Sequence, residues 1–89
     1  MLLSLDSRAQ ITGQVFNDRD IPVAGATVSL HYADRNAQTD EKGHFSLNVD
    51  VGSDSLTVKH IGYAPKTIWV GRGSERLRIV LSPLERSLE

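Results

Sequence analysis

The chain is predicted to fold as an all-β protein, an antiparallel β-sandwich, and three features of the sequence support this. Apolar and polar residues alternate along six or seven short segments, as they do in strands with one face in a core and the other in water. Stretches rich in Gly, Asp, Asn and Pro separate these segments, as expected for turns. No connection is long enough to hold the helix of a parallel βαβ unit.

The alternating segments follow one another at the short intervals typical of a sandwich. In order they read QITGQVFN, GATVSLHY, GHFSLNVD, SLTVKHIGY, KTIWVG and RLRIVL. In each segment the apolar residues share one face, and together these faces form a single modest core, which is all that a chain of 89 residues can bury. The predicted core consists of Ile11, Val15, Val28, Leu30, Phe45, Leu47, Val49, Leu56, Val58, Ile68, Val70, Leu77, Ile79 and Leu81.

Composition argues against several classes of partner. Ten Lys and Arg residues balance eleven Asp and Glu residues, so the basic excess typical of proteins that bind nucleic acid or anionic membranes is missing. Aromatic residues make up only 6% of the chain, which disfavours a base-stacking platform. No apolar run is long enough to span a bilayer. We therefore expect no nucleic-acid partner and no membrane insertion by this domain.

The segment TDEKGHF is predicted to form a tight, bulged turn. A type I turn would begin at Asp40 and place Gly43 in the left-handed conformation. This register sets Asp40 opposite His44 and Thr39 opposite Phe45, and it continues into two paired strands. A plain four-residue loop would instead bury a glutamine, so the hydrophobic pattern favours the bulged register.

The last two segments are predicted to form a hairpin in which Val70 lies opposite Leu77. Trp69 then lies on the outer face, opposite Arg78. Two interpretations of this arrangement remain open. The guanidinium stacks locally on the indole, or the residues form a docking patch for a protein partner. The predicted patch comprises Trp69, Arg76, Arg78 and Val80.

Four short motifs occur in order along residues 10–82. They are a G-x-V strand, P-V-x-G-A-x-V, T-D-x-x-G-x-F and I-G-Y. This order resembles the carboxypeptidase regulatory-like domain, a family with a seven-stranded, Ig-like or transthyretin-like β-sandwich. The resemblance implies structural roles for Gly13, Pro22, Gly25, Ala26, Asp40, Gly43, Phe45, Gly62 and Tyr63.

Several of these positions have a physical explanation. Pro22 presets φ ahead of a strand, and Ala26 is small where two sheets approach. Gly62 permits a bulge or a sharp bend, so that Tyr63 can fold back on the end of the sandwich. The Tyr63 hydroxyl is expected to find a backbone partner there.

The I-G-Y ending, followed by an L-x-I-x-L strand, is most similar to the N-terminal extension of TonB-dependent outer-membrane receptors. The resemblance implies a periplasmic, non-catalytic domain without a cofactor, which contacts protein partners or neighbouring domains or acts as a spacer. The alternative is a module of a fimbrial usher or of a surface or adhesion protein. We expect residues 1–9 to form a lead-in, residues 10–82 the domain, and residues 83–89 a tail that includes the remnant of a purification tag.

A hypothesis of another class, a small hydrolase or metal-binding domain, finds little support. His31, His44 and His60 share no ligand spacing, and residues 17–20 lack the rest of a calcium loop. No serine has a nucleophile-elbow context. The segment GRGS, residues 71–74, departs from the Tyr-Arg-Gly-Ser ending of the hydroxyisourate hydrolases. The sequence therefore predicts a protein that is not an enzyme, with no catalytic or metal-binding residues.

Overall fold

The structure, a computed structural model, describes residues 9–49, 53–71 and 76–84. These residues form seven β-strands, namely β1 (Ala9–Phe16), β2 (Thr27–Leu30), β3 (Arg35–Gln38), β4 (His44–Val49), β5 (Asp54–Lys59), β6 (Lys66–Val70) and β7 (Leu77–Val80). Within the described ranges, no helix has the length and apolar character needed to cross a membrane.

The strands form two sheets that pack face to face. One sheet has three strands in the order β4-β1-β7, and the other has four in the order β3-β2-β5-β6. The predicted all-β sandwich is confirmed. Neighbouring strands are antiparallel with one exception, since β1 and β7 run parallel. No helix has to connect these two strands, because the intervening chain passes through the other sheet.

The core lies between the sheets and agrees closely with the predicted set. The buried apolar residues are Ile11, Val15, Val23, Ala26, Val28, Leu30, Phe45, Leu47, Leu56, Val58, Val70, Ile79 and Leu81. Ile68 and Leu77, also predicted, are partly buried and pack against this cluster. Val23, which the alternation did not include, completes the core, and the side chain of Val49 lies outside the described residues.

The predicted hairpin between the last two strands is wrong. Val70 pairs with Asp54 on β5, whereas Leu77 pairs with Gly13 on β1. The two strands belong to different sheets, because alternation determines which face of a strand is buried but not which strand lies beside it. By joining β1, β7 gives the smaller sheet a third strand, and a two-stranded sheet is only marginally stable.

The turn in TDEKGHF is confirmed, but the strand pairing predicted beyond it is wrong. The Asp40 N–H donates to the His44 carbonyl at 3.0 Å, and the Gly43 N–H donates to the Asp40 carbonyl at 2.9 Å. Gly43 has a φ of 79°. Beyond this turn the chain diverges, so Thr39 and Phe45 are not paired. Strand β3 joins β2, whereas β4 joins β1.

Candidate interaction surface

The predicted patch around Trp69 is not one continuous surface. Trp69 points outward from the four-stranded sheet and is 65% exposed, since its neighbours Ile68 and Val70 face the core. Arg78 points outward from β7 in the three-stranded sheet, between the core-facing Leu77 and Ile79. The two side chains therefore lie on opposite outer faces of the sandwich, and Arg76 and Val80 accompany Arg78.

Arg78 makes its contacts on its own sheet. Its guanidinium carbon lies 4.2 Å from the centre of the Phe16 ring, and its Nη2 atom donates to Asp20 Oδ1 at 2.6 Å. The interpretation in which Arg78 stacks on Trp69 is wrong, because the guanidinium is engaged on the other face. This leaves the indole without the local partner that the hairpin prediction supplied.

A groove of about 450 Å³ crosses the outer face of the three-stranded sheet. Its lining combines cationic, polar and aromatic side chains: Thr12, Gln14, Phe16, His44, Arg76 and Arg78. The Arg76 N–H donates to Thr12 Oγ1 at 3.0 Å, which ties the start of β7 to β1. Asp20 offsets part of the positive charge, so this groove is a mixed surface rather than a strong anion site.

The outer face of the four-stranded sheet has a different chemistry. We call it the Trp69 face and define it by two rows of outward residues that the strand registers place side by side. The first row is Asn36, Ser29, Thr57 and Thr67, and the second is His31, Ser55 and Trp69. The Thr57 and Thr67 hydroxyls lie 3.0 Å apart and share a hydrogen bond. This face is rich in hydroxyl groups and carries one large exposed aromatic ring.

Gly13 allows a close approach within the core. A Cβ atom at this position would lie 2.8 Å from the Phe45 ring and 2.8 Å from the Leu77 carbonyl oxygen. Phe45 is buried, so its ring occupies the space that any other residue at position 13 would fill. The G-x-V and T-D-x-x-G-x-F motifs are therefore two halves of one packing contact.

The P-V-x-G-A motif is fixed to Thr39. The buried Thr39 hydroxyl donates to the Val23 carbonyl at 2.7 Å and accepts from the Ala26 N–H at 2.9 Å. Gly25 has a φ of 74° and donates its N–H to the Thr39 carbonyl. Pro22 forms an isolated antiparallel bridge to β1, and Ala26 is fully buried between the sheets. These contacts explain why a threonine precedes the turn that begins at Asp40.

Asp40 acts as the turn starter that the sequence predicts. Its Oδ1 atom accepts from the His44 N–H at 2.8 Å and from the Lys42 N–H at 2.9 Å. The hydrogen bond from the His44 backbone is the main reason that the pKa of Asp40 lies below its ordinary value. The carboxylate thus stabilises the turn.

Tyr63 folds back on the sandwich end as predicted, but its partner differs. The hydroxyl accepts from Asn17 Nδ2 at 3.4 Å, so the expected backbone partner is wrong. Asn17 is held in a suitable position because its own Oδ1 atom accepts two loop N–H groups. Gly62, with a φ of 94°, makes the bend, and Tyr63 then bridges Pro83.

Asp54 is a buried carboxylate that the sequence reasoning missed. Its two oxygens accept backbone N–H groups from His31, Tyr32, Ala33 and Ser55 at 2.6–3.1 Å. Burial acts to raise the pKa of Asp54, but the four donors outweigh it and leave this pKa below its ordinary value. The sequence contains a signal for this burial. Asp54 occupies the same alternating position as Leu56 and Val58, and its side chain therefore points inward.

No cluster of three or more metal-ligating side chains occurs in the described part of the chain. His31 and His44 are exposed on different sheets. The Nδ1 atom of His60 lies 2.7 Å from the carbonyl oxygen of the adjacent Ile61. The described histidines thus give no support to a metal-binding domain.

Comparisons with solved structures show the same fold at low identity. Two structures of type II cohesin–X-dockerin complexes from Acetivibrio cellulolyticus match with TM-scores of 0.70 and 0.72 at 22% and 18% identity. These matches cover 82% and 84% of this chain but only 56% and 58% of the other chains. The Bacillus anthracis TIE protein matches with a TM-score of 0.66 at 19% identity, over 88% of this chain and 17% of that protein.

The chain thus spans little more than half of the first two of these proteins. A search of curated protein sequences gave no significant match. A comparison with protein families matched the carboxypeptidase regulatory-like domain over residues 10–82, the same range that carries the four motifs. The chain therefore belongs to the carboxypeptidase regulatory-like domain family.

Proposed function

We propose that this domain is a non-catalytic connecting module of a bacterial cell-envelope protein. In this proposal it is the periplasmic N-terminal extension of a TonB-dependent outer-membrane receptor. It acts there as a spacer and as a contact surface for protein partners or neighbouring domains.

The parallel pairing of β1 with β7 is the observation that carries the proposal. The register runs from Gly13 beside Leu77 to Phe16 beside Val80, so the first and last of the described strands run in the same direction. The described chain therefore begins at Ala9, at one end of the sandwich, and reaches Leu84 at the other. At about 3.3 Å per residue these ends are roughly 30–35 Å apart. A module with this topology holds the segments before and after it at a fixed separation.

The exit from the sandwich is held by backbone hydrogen bonds. The Leu84 N–H donates to the Gly62 carbonyl at 3.0 Å, and the Ala64 N–H donates to the Ser82 carbonyl at 2.9 Å. The I-G-Y motif therefore forms the surface along which the chain leaves the domain. A fixed exit direction is what a spacer requires, and this motif is also the feature that resembles the receptor extensions.

The non-catalytic part of the proposal rests on what the polar groups already do. Asp40 and Asp54 accept backbone N–H groups in turns, and the Thr39 hydroxyl bridges two backbone groups. These groups are engaged in stabilising the fold rather than in activating a nucleophile. The fold is also shared with proteins solved as cohesin–dockerin complexes, which supports a role in protein contact.

The complete reading frame tests the setting directly. We expect a plug and a β-barrel to be encoded after residue 82. Protease treatment of cells is a second test. In intact cells the domain should become sensitive to protease only when the outer membrane is permeabilised. An usher barrel or a series of surface repeats would support the alternative module. Protease sensitivity only after lysis of the inner membrane would contradict an extracytoplasmic location altogether.

A further inference from the structure

We propose that the Trp69 face binds an uncharged oligosaccharide, with the indole as the stacking platform and the row of hydroxyl and amide groups as hydrogen-bond partners. This role goes beyond the spacer function and does not depend on it.

The indole of Trp69 is available to a ligand. It is 65% exposed, and its neighbour in the register is Ser55, whose small side chain leaves the side of the ring open. Arg78 is held on the opposite face by Phe16 and Asp20. A flat apolar ring in a polar surface is suited to the C–H face of a sugar ring, because the contact removes apolar area from water without requiring a deep pocket.

The neighbouring row supplies hydrogen-bonding groups that match a sugar. The registers place Asn36, Ser29, Thr57 and Thr67 side by side across all four strands, at intervals of about 4.8 Å. Each hydroxyl and amide both donates and accepts, as sugar hydroxyls do. The hydrogen bond between Thr57 and Thr67 orients their hydroxyls and leaves further acceptor positions free.

The charge on this face favours a neutral ligand. Neither row contains Asp, Glu, Lys or Arg, and among the described strand residues Lys59 lies one row further on, beside Thr27. An anionic ligand such as a phosphate or an acidic sugar would lose hydration there without gaining a paired cation. A protein interface normally has several large apolar side chains at its centre, whereas the two rows of this face contain a single one, Trp69.

The edges of the same sheet are unsuited to binding a partner strand. Lys66 on β6 reaches across to the Val80 carbonyl of β7 at 3.3 Å. Arg35 on β3 shares the core-facing side of its strand with Ala37. Charged side chains on edge strands oppose strand addition. The face of this sheet, rather than its edge, is therefore the surface that we assign to a ligand.

A pair of aromatic rings on the far side of the face from Trp69 sets the length of the site. The His31 and Tyr32 rings meet edge to face at 4.7 Å, and the His31 N–H donates to the Ser55 carbonyl. His31 thus lies two strands from Trp69, about 10 Å away. This spacing accommodates roughly two consecutive sugar units.

Trp69 is the only tryptophan of the chain, so its emission reports stacking directly. The domain is titrated separately with cellohexaose, maltohexaose, chitohexaose and, as an anionic probe, hexagalacturonate. We expect a saturable change in emission at millimolar or lower concentrations with at least one neutral hexamer and a weaker response to the anionic one. Amide NMR shifts should map to β2, β5 and β6. The absence of saturation with every neutral hexamer, or a preference for the anionic one, would overturn the proposal.

Three variants locate the site, with binding measured by calorimetry. Trp69→Ala should weaken binding by about tenfold or more, and the double variant Thr57→Val with Thr67→Val should weaken it severalfold while keeping side-chain volume. Arg78→Ala, on the opposite face, serves as the matched control and should leave the affinity unchanged. If the Trp69 and threonine variants bound the sugar with the affinity of the wild type, the proposal would be overturned. Trp69-dependent self-association without sugar binding would also overturn it, in favour of a protein contact.

Discussion

Asp54→Ala is expected to lower the free energy of unfolding by about 3–4 kcal/mol, because it removes the charged acceptor of several backbone N–H groups at once. Those groups belong to His31, Tyr32 and Ala33, at the turn after β2, and to Ser55 on β5. The carboxylate thus joins two segments that are more than twenty residues apart. Urea unfolding followed by circular dichroism measures the loss, which is a large fraction of the stability of a domain of this size.

The exposed carboxylate of Asp40 provides the comparison. It also accepts two backbone N–H groups, but water replaces it readily as an acceptor. Asp40→Ala should therefore destabilise the domain less than Asp54→Ala. Equal losses would show that burial of the Asp54 network adds nothing.

The same network predicts a dependence on pH. The pKa of Asp54 in the folded state lies below its ordinary value of 3.8. Its contribution to stability is therefore complete above the unfolded pKa and is lost as the pH falls through the folded pKa. The difference in unfolding free energy between the wild type and Asp54→Asn should consequently narrow as the pH is lowered from 7 to below about 3.8. A difference that stays constant would contradict this role of the carboxylate.

Gly43→Ala is expected to destabilise the domain by about 3 kcal/mol, since two costs add. The residue has a φ of 79°, which an L-residue adopts only with strain. Its Cβ would also lie 2.5 Å from the Val15 carbonyl oxygen, so β1 or the turn must move. That movement would disturb the hydrogen bond from the Val15 N–H to the Gly43 carbonyl, 2.9 Å long.

Gly25→Ala separates the two costs. Gly25 has a similar φ of 74°, but a Cβ there would meet no atom within 4 Å. This variant should lose only the conformational part, about 1 kcal/mol. Thermal unfolding of both variants measures the difference, and equal shifts in Tm would mean that the contact between Gly43 and Val15 relaxes without cost.

The alternation of residues predicted the core well because it is a local property. Leu56 and Val58 have to point inward wherever β5 lies in the sandwich, and the turn at Asp40 and Gly43 depends on only a few consecutive residues. The same alternation extends back to Asp54, but the run of Asp, Gly and Ser residues before Leu56 predicts a turn there, and a carboxylate is rarely buried. Its burial becomes reasonable only with the N–H groups that the fold brings to it.

Strand neighbours could not be predicted in the same way. A strand with one apolar face fits either sheet, so the short connection between β6 and β7 suggested a hairpin although the chain crosses between sheets. Because of this error, Arg78 was expected beside Trp69 instead of beside Phe16, and two separate surfaces were treated as one patch. Only the long-range pairing of β7 with Gly13 and Val15 on β1 resolves this.

The central claim, that the chain enters and leaves at opposite ends of the sandwich, is tested most directly by a distance. The chain contains no cysteine, so spin labels at Gln10→Cys and Ser82→Cys report on these two positions alone. Ser82 lies two residues beyond Val80, which pairs with Phe16, so pulsed electron paramagnetic resonance should give about 26 Å between the labelled backbone positions. A distance below about 15 Å would place both ends on the same side and contradict the spacer topology.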